Sequence, residues 1–166
     1  MMFDLTLGQI FLLLVAAIDL VIAFYVLSQK PKHIINRSFF IFVIGGAIWV
    51  AGFVFLLATR NFLFDKFVHY GGLISVFGLF IFARVFPLGK IPAKKFWFFC
   101  IPFLFAAIFV IPFDLLVEGM LITADGRLEP INGPALPFYL LGLGFYIILS
   151  LGFFVKNYRQ SSGHHK

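Results

Sequence analysis

Four residues of this 166-residue chain could do chemistry inside an otherwise apolar sequence: Asp19, Trp49, Ser75 and Tyr146. Asp19 sits in "AAIDLVIAF". A carboxylate at the centre of a membrane span costs on the order of 2.5–3.5 kcal/mol, so it should face protein or water in preference to lipid. Helical spacing puts Gln9, Ala16, Asp19 and Ala23 on one stripe of small and polar residues. Comparable stripes are Gly45, Trp49, Gly52, then Gly71, Ser75, Gly78, then Gly142, Tyr146, Ser150. Small residues let membrane helices approach closely, and polar ones bond across them. Counting about nine residues inward from each cytoplasmic end places the four polar members at one depth, as candidate ligand or sensor residues. Two readings stay open. One is a small pocket or proton-responsive site with Asp19 as its ionisable member. The other is a structural hydrogen bond from Asp19 to Trp49 or Tyr146 that fixes helix register.

The elements that must position them follow from composition. With 62% hydrophobic residues, 12% charged residues and a mean hydropathy of +1.06, the chain has too little polar surface for a water-soluble fold. Five apolar runs, 5–28, 39–59, 67–86, 96–111 and 137–155, each approach or reach the roughly 18–25 residues that cross a hydrocarbon core about 30 Å thick. They are continuous and not alternating, which favours helices over a barrel. The expectation is an all-α, polytopic bundle of five transmembrane helices forming one domain over 1–166. The 26 Phe residues fall almost wholly within these runs, so they and the net charge of +6 do not indicate nucleic acid, and the partner implied is the lipid bilayer. A single cysteine, Cys100, excludes an intrachain disulfide.

Charge gives the orientation. Lys30, Lys32, Arg37, Arg84, Lys90, Lys94, Lys95, Lys156, Arg159 and Lys166 fall on one side of the spans; Arg60, Lys66 and Arg127 fall on the other. Lysine and arginine are retained in the cytoplasm, so the N-terminus is expected outside and the tail 156–166 inside the inner (plasma) membrane. "MMFDLTLGQ" carries no Lys or Arg, and the run after it is too long for a signal core, so run one reads as a retained span. The outer loop 112–136 contains Asp125-Gly126 between "MLIT" and "RLEPI", the pattern of a short β-hairpin over the outer mouth. Pro102 and Pro112 should bend the fourth run.

No HExxH, GxSxG, phosphate-binding glycine loop or CxxC is present. His33, His69, His164 and His165 are scattered over both sides, and the tail pair reads as a solvated end. The expectation is therefore no catalytic residue, no cofactor and no metal site.

One local pattern is more specific. "INRSFFIFVIGGAIWVAGF" enters the second span through Asn36, Arg37 and Phe39, with Trp49 at mid-span. With "FFCIPFLFAAIFVIPFDLLVEG", the later "INGP" and an exit into "KNYRQSSGHHK", it resembles the N-terminal seven-transmembrane region of bacterial sensor histidine kinases and related cyclic-dinucleotide signalling proteins. The resemblance covers the first five spans. It implies a sensory, signal-input module of a two-component type, an output domain or partner in the cytoplasm, and a homodimer. The phosphoacceptor box, ATP-binding segment and cyclase domain of that family have no counterpart in these residues, so no kinase activity carries over. The competing expectations are a small proton- or cation-coupled channel or carrier using Asp19, and an accessory membrane protein.

Overall fold

The computed structural model describes residues 5–89, 92–123 and 128–162. Its long elements are α1 (Leu7–Gln29), α2 (Ile34–Thr59), α3 (Leu63–Val85) and α5 (Leu136–Ser162), with a short α4 (Ile101–Phe105) and strands β1 (Val117–Ile122) and β2 (Leu128–Asn132). Each of the four long helices is long and apolar enough to cross a membrane.

Helix starts and turns follow local chemistry. Thr6 caps α1: its hydroxyl accepts from the Gln9 amide, while the Gln9 side chain accepts from the Thr6 amide, a reciprocal capping box. Gln9 thus serves the helix start and not an interhelical stripe. Arg60 closes α2 with φ 55°, and the Asn61 carboxamide accepts from the Leu63 amide to open α3. At the opposite end Asn36 donates to the Val26 carbonyl and Arg37 to that of Pro31, joining α2 to the end of α1.

The centre of the bundle is the α2–α3 pair. A Cβ added at Gly45 would lie 2.3 Å from the Ser75 backbone nitrogen, one at Gly71 2.3 Å from that of Trp49, and one at Gly78 2.3 Å from that of Phe42. The two backbones are in direct contact at three levels, which only glycine allows. The stripe on α5 behaves differently, since Gly142 has nothing within 4 Å. There, packing comes from Tyr146 and Ser150, both buried.

The fourth apolar run departs from a single regular α-helix. It is helical from Lys94 to Val110, but in three windings: a 3₁₀ stretch at Lys94–Cys100, α4, and a π stretch at Ala106–Val110. Pro102 lies at the start of α4, where a missing N–H is tolerated, so the change of winding comes just before the proline. Irregular winding leaves carbonyls to satisfy. Pro102 has no N–H for the Phe99 carbonyl three residues back, and Tyr146 Oη donates to it at 2.7 Å. Tyr70 Oη donates to the Ala107 carbonyl at 2.9 Å within the π stretch. The segment is also held by rings: Phe80 of α3 stacks on Phe96 at 4.9 Å, and Tyr146 lies 4.3 Å from Phe103.

The hairpin is present, with β1 and β2 antiparallel and Met120 opposite Pro130. A bulge between Val117 and Gly119 accommodates Glu118. The Asp125-Gly126 turn lies outside the described residues. The base is closed by Gly133, whose amide donates to the Leu116 carbonyl at 2.8 Å, and by Ala135, whose amide donates to that of Leu115.

Gly71→Val should lower stability in detergent by at least about 1–3 kcal/mol, because the new side chain must displace backbone. Gly142→Ala should stay within about 0.5 kcal/mol of the parent. Thermal unfolding of the two variants checks both.

Candidate functional site

Three of the four residues singled out by sequence share one cleft. Asp19 from α1, Trp49 from α2 and Ser75 from α3 line a cavity of about 500 Å³, whose remaining walls are apolar apart from the backbone. Ala16 and Ala23 are the buried members of the α1 stripe, while Asp19 lies at its edge and is exposed. Among the described residues Asp19 has no hydrogen-bond or ion-pair partner. Tyr146 is not part of this layer: it is buried in the core formed by α3, α5 and the fourth segment, and its hydroxyl is committed to Phe99. The expected register-fixing bond between Asp19 and Tyr146 is therefore not formed: the Tyr146 hydroxyl donates to the Phe99 carbonyl, which Pro102 cannot serve. No bond links Asp19 to Trp49 either.

Ser75 and Trp49 also line a second cavity of about 430 Å³, between α2, α3 and α5, which reaches His69 and Tyr139. His69 in turn lines a third, about 240 Å³, beneath the hairpin, together with Asp65, Met120 and Asn132.

Sequence reasoning missed the Asp65–His69 pair. Asp65 occupies the first turn of α3, where the helix dipole favours an acid. His69 follows one turn later, with Nε2 3.3 Å from Asp65 Oδ2. Their side chains are only 9% and 14% exposed respectively. The contact lacks hydrogen-bond alignment, and His69 Nε2 is buried without a hydrogen-bond partner. Distance and alignment disagree here; the distance marks the two groups as electrostatic neighbours, and the alignment leaves Nε2 available. The i, i+4 spacing in "DKFVH" was the signal, but at the end of a span it resembles a solvated face. The hairpin is what covers it. Tyr139 seats the histidine from α5, donating from Oη to the His69 carbonyl at 2.8 Å, with the rings edge to face at 5.6 Å.

Nearby, Lys66 Nζ reaches Asp114 Oδ1 at 3.0 Å and the Pro112 carbonyl at 3.1 Å. Both ion-pair partners are partly exposed, so this pair positions the loop more than it stabilises the fold. At the opposite end Asn157 is buried, and its side-chain amide donates to the carbonyls of Ala83, Arg84 and Phe86.

The described residues contain no group of three or more His, Cys, Asp or Glu able to hold a metal ion. Comparison of the chain with protein-family models, with curated proteins and with solved structures finds no match.

Asp65→Leu alone and His69→Leu alone should each cost about 1–3 kcal/mol, because each leaves the other buried group without its close electrostatic neighbour. The double variant should cost less than the sum of the two. A double-mutant cycle by thermal unfolding in detergent measures the coupling.

Proposed function

We propose that this chain is a membrane-embedded signal-input module: a change at the outer cavity beneath the hairpin shifts helix packing, and α5 carries the change to the basic tail. The observation supporting this reading most directly is the continuity of α5. It begins three residues after Gly133 closes the hairpin base and runs unbroken to Ser162. Along the way it packs through Tyr139 on His69 and through Tyr146 on Phe80. The resemblance of 35–53 and of the fourth and fifth runs to the sensory region of bacterial histidine kinases points the same way, and with it to an output domain or partner and a homodimer.

In this reading the three windings of the fourth segment together make a fifth span. Seven residues at about 2.0 Å and ten at no more than about 1.5 Å come close to the hydrocarbon thickness. The hairpin faces outward and the tail lies in the cytoplasm of a plasma membrane, with the excess of Lys and Arg on the tail side. Asn157 and its three carbonyl partners hold the tail ends of α3 and α5 together, so both basic segments belong to one face. A ligand shifts such a module only as far as its affinities for the two states differ.

The test is hydrogen exchange on the full chain in nanodiscs. Gly133→Ala places a Cβ 2.3 Å from the Leu115 carbonyl oxygen and loosens the hairpin base, and Asp65→Asn perturbs the cavity without adding bulk. Either variant should change amide exchange at 156–160 by about twofold or more, with α1 unaffected. Changes confined to 112–136 in both variants would remove α5 as the carrier.

A further inference from the structure

Three cavities share walls in series. His69 lines both the cavity beneath the hairpin and the one between α2, α3 and α5; Trp49, Ser75 and Phe42 line both that one and the cleft holding Asp19. The α3 residues on this path, Asp65, His69, Gly72 and Ser75, recur at three- and four-residue spacing on one helix face. Asp65 and Ser75 are ten residues apart, about 15 Å of helix. Ser75 and Asp19 each lie ten residues from the tail-side end of their helix, so the path descends from the hairpin and turns sideways at the level of the carboxylate.

We infer that this series of cavities is a one-sided proton inlet, in which Asp65 and His69 admit protons from the hairpin side and Asp19 is the group they reach. Chains of Asp, Glu and His inside membranes are the usual carriers of protons. Asp65 takes a proton from water in the outer cavity and gives it to Nε2 of His69. The imidazolium releases a proton to water in the inner cavity, and that water protonates the Asp19 carboxylate. His69 returns to the neutral ring, and the sequence runs backward when the outer side is made alkaline. Asp65 on its own helix and Tyr139 from α5 are the titratable groups facing His69 among the described residues. The walls supplied by α2 and the hairpin are apolar apart from the Trp49 indole N–H and the Asn132 amide. Among the described residues Asp19 is the single titratable group lining its cleft.

Trp49 makes the inlet measurable, since it lines the Asp19 cleft and the chain has two tryptophans. In a Trp97→Phe background, the full chain in vesicles whose hairpin side faces the bath is subjected to a rapid pH step in the bath, with the lumen buffered. Trp49 fluorescence should follow the step, and Asp19→Asn should abolish the response. His69→Phe should slow it by on the order of tenfold or more, as expected for loss of a positioned proton-transfer group. Gly72→Val should slow it similarly. Its Cβ has room, with the nearest atom, Tyr139 Oη, at 3.7 Å, so it narrows the inner cavity while removing no titratable group. A response that survives Asp19→Asn, that keeps its rate in both His69→Phe and Gly72→Val, or that follows lumenal pH instead overturns the inlet. The outcome is separable from the input-module reading, which fails on tail exchange whether or not Trp49 responds.

Discussion

Everything else in this fold is arranged around two backbones that touch. The contact of α2 with α3 at Gly45, Gly71 and Gly78 leaves no side chain between the helices at these three levels, and dispersion at that distance is what holds membrane helices together when lipid tails compete equally for apolar surface. The consequence is lateral. Side chains displaced from the shared seam, such as Trp49 and Ser75, are pushed to its flank, where they line both the cleft towards α1 and the neighbouring cleft towards α5. The cavities are thus a product of how closely α2 and α3 approach.

A second constraint comes from the fourth segment. Its three windings leave carbonyls that an unbroken α-helix would have satisfied itself, and an apolar environment does not tolerate them. Tyr70 and Tyr146 supply the missing donors from α3 and α5. The irregular segment is therefore fastened to the bundle by polar bonds at two heights, as well as by the Phe80–Phe96 stack.

The four long helices, the hairpin and the close approach of α2 and α3 were legible in the sequence, because run length, an Asp-Gly turn and glycine spacing are local signals. The fourth segment was legible as apolar, but its winding was not, since Pro102 specifies a missing donor without specifying which neighbour replaces it. Asp19 stood out as a charge among aliphatic residues. Asp65 and His69 did not: burial at the end of a span depends on a hairpin about fifty residues later in the chain. Tyr146 was read as a site residue because depth along a helix was legible, whereas azimuth about the bundle axis was not.

Asn157 sets the mechanical character of α5. Its one amide group holds three carbonyls where α3 ends, while the far end of the helix hangs from the bonds of Gly133 to Leu116 and of Ala135 to Leu115. A rod pinned near one end cannot slide along its axis without breaking the pin. It can tilt or roll about it. A displacement at the hairpin would therefore arrive at the residues that follow Asn157 as a change of direction, with little change of height, and any surface reading this helix would have to read angle.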